Sequence, residues 1–324
     1  MRKNAALARS LIINQLADGE FYSGEALGEL TGLSRSAIAN HIKYLGSIGL
    51  DIYSVKGRGY KLAQAIELLR ADKIVSQSNS LTTDKLEVLS IIDSTNTYIK
   101  SRLQELPNGY ICLAEAQTQG RGRRGRPWVS PFGSSIYMSM CWTFAGGYQS
   151  MVGLSLLVGI GINRVLMKYG LRDCKLKWPN DVYHNGKKLA GVLVEVEGQV
   201  GSDASAIIGI GINVLLPRHV QGIDQPFTDI YTALDKQIDR NLFIAELADT
   251  LHSMLREFEN KGLTPFIPEW KAADLFYDKY VYLLAGKNQM HGVSKGINES
   301  GALLLECNGM ITPHHGGEIS VRHG

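Results

Sequence analysis

The residues best suited to chemistry lie in one stretch, residues 117–128, which reads QTQGRGRRGRPW. Four arginines and three glycines in twelve residues cannot form a packed element, so this stretch is predicted to be a loop. Glycine lets the backbone turn tightly and approach a ligand, and arginine presents fixed N–H donors to carboxylate or phosphate. Trp128 adds a flat face on which a purine could stack. We interpret residues 117–128 as an anion-handling loop, called the ligand loop below; a solvated basic turn is the alternative.

Strand-like segments flank the ligand loop. Residues 110–114 are typical of a buried strand and residues 134–142 alternate like a second one, so the loop is predicted to be mounted on a sheet. Its three glycines also match the spacing G-x-G-x-x-G. A dinucleotide site needs a helix to open at the last glycine, however, and Arg126-Pro127 cannot open one. The spacing therefore does not predict a dinucleotide fold.

The N-terminal segment is predicted to be a winged helix-turn-helix. Residues 1–64 carry eight Lys and Arg against five Asp and Glu, an excess that equals the net charge of +3 of all 324 residues. Helical apolar spacing over residues 7–16, two further helices capped by Ser23 and Ser34, and a break at Gly32 predict the helices. A hairpin over residues 52–62 with a Lys-Gly-Arg-Gly tip predicts the wing. A three-helix packing module without a nucleic acid partner is the alternative.

Polar side chains at the helix starts, on the second capped helix and on the wing are the predicted DNA contacts, because helix N-termini and basic side chains bind phosphates. For His41, an ordinary surface position is as consistent with the sequence as a base contact. The predicted contacts are Ser23, Ser34, Arg35, Ser36, Asn40, His41, Lys43, Lys56 and Arg58.

Two further domains are expected after a connector over residues 65–84, which begins with a predicted helix over residues 65–76. A mixed α/β domain is predicted over residues 85–274. In it, the hairpin signal Asn185-Gly186 places Lys177 and Lys188 on neighbouring strands. Short strands separated by glycines, among them residues 280–284, 290–294, 303–306 and 318–321, predict a small β-barrel over residues 275–324.

Composition bounds the class of protein. The chain is 44% hydrophobic and 20% charged, which is ordinary for soluble globular proteins. Arg9 interrupts any signal-peptide core and the apolar run over residues 151–162 is too short to span a bilayer, so a cytoplasmic protein without a membrane partner is expected. The four cysteines are far apart and predict buried free thiols.

The pentapeptide Gly-Ile-Gly-Ile-Asn occurs twice, at residues 159–163 and 209–213. The first copy lies in a stretch of helical period and is predicted to serve packing. The second follows a strand and is predicted to place bare backbone against a ligand.

The ligand loop resembles the GRGRRGR loop of biotin protein ligases. Four further motifs follow in that family's order: DSTN at residues 93–96, KWPND at 177–181, KKLAG at 187–191 and the second GIGIN at 209–213. Residues 1–64 are similar to the DNA-binding part of bifunctional members that repress the biotin operon. The resemblance implies an α+β multi-domain fold: a winged helix-turn-helix, a mixed-sheet ligase domain of the class II synthetase-like type, and a C-terminal SH3-like β-barrel.

The resemblance also implies a two-step reaction. The carboxylate of biotin attacks the α-phosphate of ATP to give biotinoyl-5′-AMP and pyrophosphate, and a lysine of a biotin carrier protein then attacks the adenylate. Biotin and ATP are the implied substrates, with Mg²⁺. Operator DNA and a second copy of the chain, joined when biotinoyl-AMP is bound, are the implied partners.

Each implied site residue belongs to one of the motifs, except Arg322 near the C-terminus. The implied catalytic residues are Lys188, Arg121 and Arg123, which would offset the repulsion between the two anionic substrates. Asp181 is either a turn residue or a magnesium contact. The implied biotin contacts are Ser94, Thr95, Asn96, Gln117, Gly120, Arg121, Gly122, Arg123, Lys188, Gly191, Gly209 and Gly211. The implied ATP and adenylate contacts are Arg123, Arg126, Trp128, Lys177, Asn180, Asp181, Lys188, Asn213 and Arg322.

Two rival functions remain open from the sequence. A lipoate ligase shares the catalytic architecture, although the GRGRR loop favours biotin. A repressor that senses a metabolite without ligase activity is the second rival, and the intact Lys188 and ligand loop argue against it. Pro127, just before Trp128, is a departure from the family pattern that stiffens the exit of the loop.

Overall fold

The computed structural model describes residues 2–198, 203–217, 220–285, 288–316 and 319–323. Predicted turn residues Gly286 and Gly317, and Glu318 at the start of the last predicted strand, lie outside these ranges.

A winged helix-turn-helix opens the chain, as predicted. Ser23 and Ser34 cap their helices by accepting hydrogen bonds from the backbone N–H groups of Ala26 (3.0 Å) and Ala37 (3.3 Å). Gly32 ends the first of these helices with a φ of 70°, a conformation that suits glycine. The elements are α1 (Arg2–Leu16), α2 (Gly24–Thr31), α3 (Arg35–Ser47), β1 (Ile52–Val55) and β2 (Gly59–Leu62), the two strands pairing antiparallel.

The connector differs from its prediction. The predicted helix over residues 65–76 is wrong for its first half: α4 spans only Ala71–Gln77. The backbone N–H of Leu69 donates to Glu115 (2.6 Å) and that of Arg70 to Asn241 (2.8 Å), so both are bonded to the following domain rather than to a preceding helical turn.

The central domain is built on a seven-stranded mixed sheet in the order β3-β4-β5-β9-β8-β7-β6, in which only β3 and β4 are parallel. The apolar helices α6 and α8 pack into its main hydrophobic core, while α5 covers β4, β5 and β9 through a separate cluster around Ile99. The elements are β3 (Leu86–Ile92), α5 (Thr95–Arg102), β4 (Ile111–Gln117), β5 (Ser135–Phe144), α6 (Leu154–Lys168), β6 (Cys174–Lys177), β7 (Asp181–His184), β8 (Lys187–Gly198), β9 (Ala204–Asn213), α7 (Ile230–Leu234), α8 (Arg240–Lys261) and α9 (Ile267–Ala273).

One predicted strand neighbourhood is wrong. Lys177 ends β6 and Lys188 lies in β8, but β7 runs between these strands and pairs with both. The Pro-Asn-Asp segment leads at once into β7, so the Asn185-Gly186 turn joins β7 to β8. Both turn residues have positive φ, 48° and 74°, as this tight hairpin requires.

A five-stranded antiparallel sheet forms the C-terminal part, in the order β13-β12-β11-β10-β14. Within the described residues β13 and β14 occupy opposite edges, so strand pairing alone does not close a barrel. The strand β13 escaped prediction because it is exposed and contains Pro313. The strands are β10 (Tyr280–Ala285), β11 (Asn288–Ile297), β12 (Leu303–Cys307), β13 (Met310–His314) and β14 (Ile319–His323).

The apolar helical stretch Gly147–Lys168 includes α6 and is, within the described residues, the one helix long and apolar enough to cross a membrane. The prediction judged the run too short, and this length argument fails because the stretch has 22 residues. Its burial is the better argument, because most of the stretch lies inside the protein, where α6 packs against α8. The cysteines are free, as predicted, with Cys307 only partly buried.

Candidate active site

A cavity of about 350 Å³ lies between the ligand loop, the middle of the mixed sheet and β14. All predicted small-molecule contacts line it except Gly120 and Asn213. Those that line it are Ser94, Thr95, Asn96, Gln117, Arg121, Gly122, Arg123, Arg126, Trp128, Lys177, Asn180, Asp181, Lys188, Gly191, Gly209, Gly211 and Arg322. Asp224 and Gln225, from a loop with no recognisable sequence signal, also line it.

The two predicted residues outside the lining have other environments. A Cβ on Gly120 would lie 2.6 Å from the carbonyl oxygen of Trp128, so glycine is needed at the base of the loop. The side-chain amide of Asn213 donates to the carbonyl of Thr228 at 2.9 Å and is buried. The structure therefore places both beside the cavity rather than in its wall.

Bare glycine backbone from the second GIGIN copy forms the cavity floor. A Cβ on Gly209 would lie 2.4 Å from Oδ1 of Asn96, and one on Gly211 would lie 2.5 Å from the Trp128 indole. A Cβ on Gly191, on the neighbouring strand β8, would lie 3.0 Å from the same indole. Any side chain at Gly209 or Gly211 would displace a residue of the site.

The floor has an uncharged, hydrogen-bonding end. The backbone N–H and hydroxyl of Thr95 donate to Oε1 of Gln117 at 2.9 and 3.2 Å. The hydroxyl of Ser139 lies 2.7 Å from Oγ1 of Thr95 and 2.5 Å from Oδ1 of Asn96. Ser94 caps α5 by accepting a hydrogen bond from the backbone N–H of Thr97. Buried hydroxyls and amides of this kind suit a neutral polar ligand group.

The opposite end is cationic. Gly211 lies two positions along β9 from Gly209, a distance of about 7 Å. Beyond Gly211 lies Lys188, whose Nζ is 2.8 Å from Oδ1 of Asp181 and 5.3 Å from the centroid of the Trp128 ring. Asp181 begins β7 rather than completing a turn, and its carboxylate faces the cavity. The lysine and aspartate side chains are only 15% and 17% exposed.

Lys177 of β6 and Arg322 of β14 also lie at this cationic end, so the C-terminal sheet contributes one of its cations. Burial, with repulsion from Arg322, lowers the pKa of Lys177 to about 8. Its Nζ lies 4.8 Å from the centroid of the Tyr183 ring. A lysine held without a full counter-charge is poised to gain from an anionic ligand.

The ligand loop is a tight hairpin. The N–H of Gly122 donates to the carbonyl of Arg126 at 2.7 Å, and that of Trp128 to the carbonyl of Gly120 at 2.8 Å. Arg124 occupies the left-handed region at the tip, with a φ of 58°. No helix follows the last glycine, which agrees with rejecting a dinucleotide fold.

The arginines of the ligand loop make different contacts. Arg121 donates to Thr97 and Glu195, while Arg123 donates to Oδ1 of Asn180 (3.4 Å) and to the carbonyl of Gly316. Burial lowers the pKa of Arg123. Arg126 remains exposed at the cavity mouth. The loop is thus tied to both the central domain and the C-terminal part.

The predicted DNA contacts are mostly exposed on α3 and the wing. Ser36, Asn40, Lys43, Lys56 and Arg58 are exposed. The hydroxyls of Ser23 and Ser34 serve as helix caps, and Arg35 forms an exposed ion pair with Glu25. His41 is half-buried, accepts a hydrogen bond from Arg9 (3.4 Å), and burial lowers its pKa. Arg9 and Phe21 were not among the predicted contacts; the ring of Phe21 packs under the guanidinium of Arg58.

Two family profiles match the chain. That of the Biotin/lipoate A/B protein ligase family matches residues 88–213, and that of an HTH domain matches residues 9–61. The fold and the site therefore define a protein ligase of the biotin/lipoate class joined to a helix-turn-helix domain.

Similarity extends over nearly the whole chain. The chain is 44% identical over 312 residues to the bifunctional ligase/repressor BirA of Escherichia coli K12 and 46% identical to that of Salmonella typhimurium LT2, covering 96% of each protein. It is also similar to the solved biotin protein ligase from Aquifex aeolicus in complex with biotin and ATP, with a TM-score of 0.66 and 29% identity over 74% of this chain and 99% of that one. The chain belongs to the family of bifunctional ligase/repressor BirA proteins.

Proposed function

We propose that this protein activates biotin with ATP, transfers biotin to a lysine of a biotin carrier protein, and represses transcription of biotin synthesis genes. One observation carries the ligase half: a single cavity joins an uncharged end, around Thr95 and Asn96, to a cationic end around Lys188, Lys177 and Arg322. The ureido ring of biotin needs both donors and acceptors, which the first end supplies. The phosphates of ATP need cations, which the second end supplies.

The chemistry follows from this polarity. The biotin carboxylate attacks the α-phosphorus, the bond to pyrophosphate breaks, and biotinoyl-5′-AMP forms. A lysine amine of the carrier then attacks the acyl carbon, and AMP leaves. Lys188 and Arg123 offset the repulsion between carboxylate and triphosphate in the first step. The ligand loop shields the adenylate from water until the carrier arrives.

Magnesium fits the residues present. When bound with ATP, it neutralises phosphate charge. Asp181 is the carboxylate of this chain that would hold it, because magnesium uses only one or two protein carboxylates beside phosphates. Within the described residues there is no cluster of three or more acidic, histidine or cysteine ligands, so a separate protein-held metal site is not part of the proposal.

Repression is assigned to the winged helix-turn-helix. Two copies on a two-fold axis would double the phosphate contacts of a domain whose excess charge is only +3. We infer that biotinoyl-AMP promotes the homodimer by ordering the ligand loop, so that adenylate-bound dimers bind the operator.

The proposed domains are residues 1–64 for DNA binding, 65–84 as the connector, 85–274 for catalysis and 275–324 as an SH3-like barrel. The catalytic domain is assigned to the class II synthetase-like type, and the protein to the cytoplasm.

The two alternative functions, lipoate ligation and repression without catalysis, are both disfavoured. The family profile covers biotin and lipoate ligases alike, but the BirA relatives and the Aquifex neighbour are named for biotin or for a ligase/repressor. A repressor without catalysis is disfavoured because the relatives that match nearly the whole chain are named as ligases as well as repressors.

Mass spectrometry of a carrier domain tests the proposal. Purified protein with biotin, ATP and magnesium should add one biotinoyl group to one lysine of the carrier, and lipoic acid should give no product. Equal labelling by lipoic acid would favour the lipoate reading. No labelling by either acid would remove the enzyme function.

A further inference from the structure

We propose that Glu195 is a positioning residue that ties the ligand loop to the contact of the site with the biotin head group. The inference rests on the proposed function and deepens it. Gly191 and Leu193 of β8 stand opposite Gly211 and Gly209 of the cavity floor, and alternation along a strand puts Glu195 on the same face. Its side chain is 26% exposed, and neither the sequence motifs nor their spacing drew attention to it.

The Glu195 carboxylate has two partners that belong to different parts of the site. It accepts a hydrogen bond from Nδ2 of Asn96 at 2.7 Å. It also accepts from Nη2 of Arg121, at 3.2 Å to Oε1 and 3.0 Å to Oε2. The other terminal nitrogen of Arg121 donates to Thr97 at 2.7 Å. One carboxylate therefore holds the floor of the uncharged end and the root of the ligand loop.

The charge on Glu195 fixes the orientation of the Asn96 amide. An ionised carboxylate only accepts hydrogen bonds, so the NH₂ group of Asn96 must face it. Oδ1 of Asn96 is then directed toward Gly209 and the hydroxyl of Ser139. This choice determines which donors and acceptors the site offers to a ureido group. An uncharged residue at position 195 would remove that constraint.

The same charge holds the loop at its root. Arg121 forms a backbone bridge with Pro127, so it lies at the base of the hairpin. A fork of donors on a carboxylate is a geometrically specific anchor. Weakening it frees the base of the hairpin while Arg123 and Lys188 keep their own partners. Glu195 therefore affects retention of the adenylate as well as recognition of biotin.

Steady-state kinetics of Glu195→Gln test the inference, because this change keeps the shape and removes the charge. We expect the KM for biotin to rise about tenfold and the KM for ATP to stay within about twofold. Escape of biotinoyl-AMP into solution, measured per turnover, should also rise. These quantities do not depend on the fraction of folded enzyme, so partial unfolding cannot imitate them.

Glu197→Gln is the matched control. Glu197 stands two residues further along β8 and pairs with exposed Lys100, outside the cavity lining. It should leave both KM values and the escape unchanged. In an Arg121→Gln background, Glu195→Gln should still raise the KM for biotin but add no further escape, because the loop tie is already cut.

The possible outcomes separate the hypotheses. An unchanged KM for biotin in Glu195→Gln, equal rises in both KM values, or equal effects of Glu197→Gln would each overturn the assignment. Further escape in the Arg121→Gln background would overturn the loop tie. Failure of the parent protein to biotinylate a carrier would instead refute the proposed function.

Discussion

Replacing Lys188 by alanine should reduce the rate of adenylation by about three orders of magnitude or more. Removing one preorganised cation from a reacting centre costs about 10²–10³ in rate. The structure adds a second cost, because the change leaves Asp181 without the ammonium group now 2.8 Å from its carboxylate. Two like charges about 5 Å apart at an effective dielectric constant of about 20 repel by about 3 kcal/mol, so the bare carboxylate would oppose binding of the phosphates.

A double variant separates these two costs. Lys188→Ala with Asp181→Asn should bind ATP in the absence of magnesium at least about tenfold more tightly than Lys188→Ala alone, because the repulsive charge has been removed. The rate of pyrophosphate release in a single turnover measures catalysis, and calorimetry of ATP binding without magnesium measures the repulsion, with thermal unfolding of each variant in parallel. Lys187→Ala is the control, since Lys187 is the exposed neighbour on the same strand. A rate for Lys188→Ala within about tenfold of the parent would refute the catalytic role, and a double variant that binds ATP without magnesium no more tightly than the single one would refute the electrostatic reasoning.

Four further outcomes are expected. Arg123→Gly should release biotinoyl-AMP faster, because it removes the ties to Asn180 and Gly316; bystander proteins should become biotinylated, and labelling restricted to the carrier would contradict this. ATP affinity should fall as pH rises through about 8, where Lys177 loses its charge, and calorimetry of Lys177→Arg should show no such loss. Arg58→Ala should reduce the slope of log affinity for operator DNA against log salt by about 1, whereas a variant of exposed Lys236 should not. Sedimentation should show that a non-hydrolysable biotinoyl-AMP analogue strengthens dimerisation; an unchanged monomer–dimer constant would remove the regulatory mechanism.

Local signals made the helix-turn-helix and the glycine floor predictable. A serine followed by a helical apolar period specifies a cap, and Ser23 and Ser34 both cap helices. The two GIGIN copies were separable by period: Gly161 packs in α6 against Leu251, whereas Gly209 and Gly211 line the cavity.

Features set by long-range contacts were not predictable. Residues 65–70 have helical composition, but Glu115 and Asn241, both distant in sequence, accept the backbone hydrogen bonds of Leu69 and Arg70. Lys177 and Lys188 both line the cavity although β7 lies between their strands. The order of strands in the sheet determines this arrangement, and local sequence does not reveal that order. Glu195 had one available signal, a carboxylate two residues after Leu193 in the strand, but Glu197 has the same spacing, so the pattern alone does not distinguish the two.

The most direct test of the account is to follow the adenylate itself. Protein incubated with biotin and ATP labelled at the α-phosphate, then quenched without a carrier, should hold about one labelled biotinoyl-AMP per chain. Adding carrier domain should convert this pool into AMP and an equal amount of biotinylated lysine. Biotinylated carrier formed with no enzyme-bound adenylate, or an adenylate that the carrier does not consume, would contradict the account.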